Sequence, residues 1–146
     1  MTARLPVAAI ASLALLASGC TTARARGVVT DPEGRPVPNA KVVLSPTGGS
    51  AKRETALTDA NGCFSLLSSA KTEPNTFVLT VRADGYKELS FAFPGKEDLI
   101  AAVRLLANGA PGESSLERIP PADRDRVYTL PCVPPAVPGA TSIGIR

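Results

Sequence analysis

Histidine is absent from the 146 residues of this chain. Without an imidazole, the chain cannot build a Ser-His-Asp or Cys-His nucleophile system, and it has no histidine ligand for a metal. Only three cysteines are present, and a zinc site made of thiolates alone needs more of them. We therefore expect a protein that is not an enzyme, with no catalytic residue, no cofactor and no metal ion.

Aromatic residues are few, and tryptophan is missing altogether. Tyr86 and Tyr128 are the only tyrosines, so flat stacking platforms for bases or sugar rings are poorly supplied. The formal net charge of +3 comes from interspersed charges without a basic run, which does not indicate nucleic-acid binding. We expect no nucleic-acid partner, and a glycan partner has only weak support.

The chain also has no apolar run long enough to cross a bilayer. Residues Leu5–Ala17 form an apolar run of 13 residues behind the single positive charge of Arg4. A transmembrane helix needs about 20 such residues. A short apolar run behind a positive start is typical of a secretory signal, and the small residues Ser18 and Gly19 suit the cleft of a signal peptidase.

The segment that closes this run resembles a bacterial lipoprotein signal in its residues Leu16-Ala17-Ser18-Gly19-Cys20. The resemblance implies cleavage after Gly19, which makes Cys20 the lipidated first residue of a mature chain carrying palmitate-like acyl groups. Each methylene group buried in the bilayer contributes about 0.8 kcal/mol to the free energy of membrane binding, so three acyl chains would make the attachment effectively permanent. The alternatives are an ordinary secretory signal cut nearby, or a buried helix.

By the same resemblance, the residue after the lipidated cysteine bears on location. Thr21 occupies the position at which an aspartate marks retention in the inner membrane of enteric bacteria. We therefore expect a cell-envelope protein anchored in the outer membrane and facing the periplasm.

Committing Cys20 to lipid leaves Cys63 and Cys132. Thiols tend to pair in the oxidising compartment that an exported protein enters, so we expect a Cys63–Cys132 disulfide. The alternatives are two free thiols or a bond between two chains. The bond would close a loop of about 70 residues and, in the chain-entropy model, stabilise the fold by on the order of 4 kcal/mol.

From Gly27 to about Leu106, short β-rich runs alternate with turn residues. Seven strands are predicted, near residues 27–31, 40–44, 54–59, 63–66, 76–82, 86–93 and 99–106. Short strands with such regular turns predict an all-β sandwich. Neighbouring side chains of a strand point to opposite faces of the sheet. If Phe64 and Leu66 face the core, Cys63 faces outward, where a segment that crosses the sheet can reach it.

The turns and strands of this region carry a longer pattern: Gly27-x-Val29-x-Asp31-x-x-Gly34-x-Pro36-Val37-x-x-Ala40-x-Val42-x-Leu44, then Thr58-Asp59-x-x-Gly62-x-Phe64, then Ala83-x-Gly85-Tyr86. It resembles the carboxypeptidase regulatory-like domain. The resemblance implies a transthyretin-like (prealbumin-like), seven-stranded Greek-key β-sandwich. No peptidase activity is implied, because the zinc-binding catalytic domain is missing.

The residues of this pattern have physical roles in turns and in the core. Three glycines suit turn positions with positive φ, namely Gly34, Gly62 and Gly85. Three aspartates can accept hydrogen bonds from turn backbone, namely Asp31, Asp59 and Asp84. Calcium binding by these turns is the alternative, although no loop has the acidic density of a dedicated site. Eight residues are predicted to face inward: Val29, Val42, Leu44, Phe64, Leu66, Phe77, Leu79 and Val81.

The predicted organisation has four parts. A signal peptide spans residues 1–19, the lipidated cysteine and a tether span 20–26, the sandwich spans 27–107, and a proline-rich tail spans 108–146. Seven of the 14 prolines lie in the tail. Because residues 126–130 have strand-like composition and Cys132 follows them, we expect residues 126–132 to dock beside Cys63.

These patterns predict a non-catalytic, lipid-anchored β-sandwich that serves as a binding or structural module of the cell envelope. Its partners would be the membrane, through acylated Cys20, and an envelope protein. Two alternatives stay open: a docking subunit of an envelope or secretion machine, and a carbohydrate-binding or cell-wall-binding module.

Overall fold

The structure is a computed structural model, and it describes residues 21–47, 52–70, 76–120 and Cys132. The predicted signal peptide, Cys20 and the segment 126–131 lie outside the described residues. Eight strands form two four-stranded sheets, the first in the order β4-β1-β7-β8 and the second in the order β3-β2-β5-β6. The strands are β1 Thr21–Thr30, β2 Lys41–Pro46, β3 Glu54–Leu57, β4 Cys63–Ala70, β5 Thr76–Arg82, β6 Leu89–Pro94, β7 Asp98–Arg104 and β8 Ser115–Arg118.

This architecture confirms the predicted all-β, Greek-key sandwich. The chain changes sheet four times: between β1 and β2, between β3 and β4, between β4 and β5, and between β6 and β7. Within the described residues, no helix is long and apolar enough to cross a membrane.

The core lies between the inner faces of the two sheets. All eight residues predicted to face inward are buried there. Within it, the rings of Phe77 and Phe93 lie side by side, with centroids 6.1 Å apart. Burying one large apolar side chain stabilises a fold by about 1.5–3 kcal/mol. The alternating apolar residues therefore supply much of the free energy that holds the two sheets together.

The structure corrects the predicted tether at residues 20–26. Strand β1 begins at Thr21 and pairs with β4 on one side and with β7 on the other. Ala23 and Ala25 are buried in the core, while the alternating Arg24 and Arg26 point outward. Alanine gives a weak apolar signal beside two arginines, which is why this half of the strand reads as a polar linker in the sequence.

The start of the predicted tail is corrected as well, because β8 adds an eighth strand within it. Strand β8 pairs with β7, and Leu116 packs against the core. The connection is held by Lys87, whose Nζ donates to the carbonyl oxygens of Ala110 at 2.6 Å and Gly112 at 2.5 Å. The sandwich therefore extends to about residue 120, because contacts distant in sequence fix a four-residue strand that lacks a strong pattern of its own.

Candidate functional site

Two loops meet at one end of the sandwich, residues 31–40 and 58–63, which we call the loop cluster. The backbone of β1 joins them, since Val29 N–H donates to the Gly62 carbonyl at 2.8 Å and Val37 N–H donates to the Val29 carbonyl at 2.9 Å. Gly34 and Gly62 adopt the predicted positive φ, at 80° and 75°. Both loops are thus tied to β1 by backbone hydrogen bonds.

Thr58 is the buried polar centre of the loop cluster. Its hydroxyl accepts a hydrogen bond from Ala40 N–H at 2.8 Å and donates one to the Val37 carbonyl at 2.7 Å. One side chain therefore satisfies two buried backbone groups of the neighbouring loop. Leaving either group unpaired would cost about 1–3 kcal/mol.

Asp31 organises the outer turn of the cluster and is almost fully buried, at 4% exposure. Its Oδ1 accepts hydrogen bonds from Glu33 N–H at 3.0 Å and Arg35 N–H at 2.9 Å, and its Oδ2 accepts one from Arg35 Nε at 2.7 Å. Burial alone raises the pKa of Asp31, but these donors and the charge of Arg35 outweigh it, so the pKa lies below its ordinary value of 3.8.

The lowered pKa makes the contribution of Asp31 to stability dependent on pH. A carboxylate whose pKa is lower in the folded chain than in the unfolded chain stabilises the fold above its unfolded pKa of about 4. That contribution is lost as the pH falls through the lower folded-state pKa. We therefore expect Asp31→Asn to reduce the free energy of unfolding at neutral pH, with the gap to wild type narrowing below about pH 4.

Urea unfolding of both proteins at neutral and acidic pH measures this gap. Thr58→Val is the matched control, because it disrupts the same loop cluster without a titrating group and should be equally destabilising at both pH values. An Asp31→Asn defect of constant size across this range would contradict the assignment.

Asp59 closes the second turn of the cluster in the predicted way. Its Oδ1 accepts hydrogen bonds from Asn61 N–H and Cys63 N–H, both at 2.9 Å. The third predicted turn, at Asp84, is closed by a backbone bond from Tyr86 N–H to the Ala83 carbonyl at 3.1 Å. In the part of the chain that the structure describes, no three acidic, cysteine or histidine residues group as metal ligands would.

Cys63 lies where the loop cluster enters β4, and the structure joins it to Cys132 by a disulfide with a Cα–Cα distance of 5.3 Å. Both cysteines are half-buried, while Phe64 beside Cys63 is buried in the core. The bond therefore lies on the outer face of the first sheet. It holds a residue of the proline-rich tail against the sandwich.

Only part of the ring of Tyr86 is exposed, which limits the surface that a sugar ring could stack on. Tyr86 is half-buried, packs against the core, and forms a backbone bridge with Ala107. The second tyrosine, Tyr128, lies outside the described residues.

Sequence reasoning overlooked one feature of the first sheet. Val28, Ile100 and Ile119 are buried, although strand alternation places them on its outer face. Alternation could have marked Val28 and Ile100 as outward apolar residues, but their burial depends on what lies over the sheet.

Comparison with known proteins gives one family. The model of the carboxypeptidase regulatory-like domain matches residues 24–105, from within β1 to the end of β7. No curated protein matches the chain.

Solved structures show likeness at low sequence identity. Catechol 1,2-dioxygenase of Acinetobacter radioresistens is 20% identical with a TM-score of 0.45, covering 68% of this chain and 56% of its own. The 3-chlorocatechol 1,2-dioxygenase of Rhodococcus opacus is 15% identical with a TM-score of 0.41, and the match covers 67% of this chain and 60% of that enzyme. The 5-hydroxyisourate hydrolase of Klebsiella pneumoniae is 19% identical with a TM-score of 0.48, and the match covers 66% of this chain and 99% of that enzyme. The chain spans little more than half of each dioxygenase, and no activity carries over at these levels of similarity.

Proposed function

Because the chain belongs to the carboxypeptidase regulatory-like domain family, we propose that it is a non-catalytic, lipid-anchored binding or structural module of the cell envelope. The observation that carries this proposal is the signal-like segment ending at Cys20, directly before β1. Acyl chains on Cys20 would place the first residue of the central strand at the membrane surface. The lipid anchor would then be joined directly to a strand of the sandwich, with no flexible linker between them.

The geometry suggests what such an anchor would present. Strand β1 runs from Thr21 to Thr30 and leads into the loop cluster. Ten extended residues span about 30 Å, so the loop cluster lies about that far from the anchored end. The hydrogen bonds of Asp31, Thr58 and Asp59 keep it rigid, which favours presentation of a preformed surface.

The disulfide supports export. Bonds of this kind form and persist in oxidising compartments such as the bacterial periplasm. We place the protein at the outer membrane, facing the periplasm, because Thr21 stands where an aspartate would mark inner-membrane retention.

The partner we propose is an envelope protein, as in the docking subunit of an envelope machine. A glycan partner has less support, because Tyr86 is half-buried against the core, which reduces the ring surface available for stacking. Affinity capture from solubilised membranes should recover an envelope protein. Retention of the purified domain on a glycan array, with no protein recovered, would favour the carbohydrate alternative instead.

The anchor is tested by Cys20→Ala. Wild-type protein should sediment with membranes and incorporate labelled palmitate, whereas Cys20→Ala should lose the label and leave the membrane fraction, because the acylated sulfur is gone. Cys63→Ala is the matched control and should retain both label and membrane association. Wild-type protein in the soluble fraction, or identical fractionation of wild type and Cys20→Ala, would overturn the proposal.

A further inference from the structure

Three buried apolar side chains of the described residues are not part of the core between the sheets. They are Val28 at 7% exposure, Ile100 at 5% and Ile119 at 3%. We call them the outer patch. Alternation places them on the outer face of the first sheet, since Val29, Leu99 and Ala101 beside them face the core.

The outer patch follows a diagonal across the whole sheet. Ile119 follows β8, and its N–H donates to the Ile100 carbonyl of β7 at 2.9 Å. Val28 of β1 lies opposite Ala102 of β7, two residues beyond Ile100. On its other side Val28 lies opposite Cys63 of β4, where the disulfide holds Cys132. The patch therefore starts where β8 ends and finishes at the disulfide.

Arg26 gives a second sign that this face is covered. In the register it lies between Ser65 of β4 and Ile100 of β7, within the same face. Its Nη2 is 3.2 Å from Asp98 Oδ2. Its Nε is shielded from solvent and has no hydrogen-bond partner in the described part of the chain. A surface arginine on an open sheet face would keep this group in water.

We propose that residues 121–131 of this chain occupy the outer patch, crossing the first sheet from β8 to the disulfide. The described chain reaches Pro120 on one side of the sheet, and Cys132 is fixed on the other. Three strand spacings are about 14 Å. Twelve residue steps reach about 40 Å when extended, so the segment is long enough to cross with slack.

The composition of the segment suits this surface. Val127, Tyr128 and Leu130 provide apolar side chains for the outer patch, and Asp123 and Asp125 provide carboxylates for cationic groups such as Arg26. Prolines at both ends limit the conformations available to the free segment and so reduce the entropy lost on docking. The proposal does not depend on the lipid anchor or on the envelope role.

Photo-cross-linking in the oxidised full chain tests the occupant directly. A benzophenone amino acid at Ser65, an exposed outward position of β4, should capture a peptide from residues 121–131 of the same chain. The same probe at Val43, on the outer face of the second sheet, is the matched control and should capture none of that segment. Capture of a second copy, or of no peptide from 121–131, would overturn the proposal.

Hydroxyl-radical footprinting provides a second readout that needs no bulky probe. In Cys132→Ser carrying Val127→Glu and Leu130→Glu, oxidation of Ile100 should rise severalfold, because the segment has lost both its bond and its apolar contacts. Leu99 faces the core from the next position and should stay protected, while Leu67 is already 56% exposed and should react in both proteins. Continued protection of Ile100 in this variant would show that the described residues cover it themselves.

Discussion

Replacing Gly27 with alanine should unfold this protein. Gly27 lies in the middle of β1, which pairs with β4 and β7 at the same time. A Cβ at this position would overlap the Ala101 carbonyl oxygen and come within 2.9 Å of its carbonyl carbon. Both are backbone atoms of the paired strand, so no side-chain rotation relieves the clash. We expect a loss of about 4 kcal/mol or more, a large part of the 5–15 kcal/mol that a domain typically has.

The matched control is Gly85→Ala. Gly85 has a φ of 82°, but a Cβ there would meet nothing within 4 Å. Its cost is therefore backbone strain alone, about 1–2 kcal/mol. Circular dichroism and urea unfolding should give a cooperative transition for Gly85→Ala and little or none for Gly27→Ala. Equal stabilities of the two variants would show that β1 and β7 can separate without penalty, against the packing described here.

Replacing Phe77 with alanine should have the next largest effect. Phe77 is fully buried and lies opposite Phe93 across β5 and β6. Removing the ring leaves a cavity that neighbouring strands cannot fill, because both sheets are tied by backbone hydrogen bonds. Such substitutions cost about 3–5 kcal/mol. For a domain of this size, the midpoint of thermal unfolding should fall by roughly 10 °C or more.

Phe91→Ala is the comparison that isolates burial. Phe91 lies on the neighbouring strand β6, packs against the core and is half-buried, so the same substitution removes less buried surface. Phe91→Ala should lower the free energy of unfolding clearly less than Phe77→Ala does. The slope of that free energy against urea concentration should stay the same in both variants. If Phe91→Ala destabilised the fold as much as Phe77→Ala, the difference in burial between the two rings would not determine the loss of stability.

The interior of the sandwich could be predicted because strand alternation and turn chemistry are local. Residues such as Val42, Leu44 and Leu79 recur at every second position, and the glycines of the turns need a positive φ that other residues avoid. The strand Asp98–Arg104 is harder to recognise, because residues 98–106 are rich in alanine and leucine and could be misread as a helix. It is a strand, as predicted, and it lies in the first sheet between β1 and β8.

The first half of β1 and the whole of β8 could not be predicted from short sequence patterns, for a physical reason. The first half of β1 is recognisable only when β4 and β7 are present to bury Ala23 and Ala25. Strand β8 has four residues and depends on hydrogen bonds from Lys87 and Ser114 to groups many residues away. Patterns of this kind carry little signal until the tertiary contacts exist.

The candidate site divides in the same way. Asp31 and Asp59 were predictable as turn residues, because an aspartate two residues before a backbone N–H can accept its hydrogen bond. The meeting of their two loops around Thr58 was not predictable, since Thr58 binds backbone groups that lie 18 and 21 residues away from it in the sequence.

The sequence by itself determined the all-β class, the inward residues, the glycine turns and the absence of any histidine chemistry. Each of these depends on residue type and spacing along a few consecutive positions. Only the tertiary structure decided that β1 starts at Thr21, that β8 completes the first sheet, and that Val28 and Ile100 are buried outside the core. These depend on which distant segments meet, because burial is a property of neighbours in space.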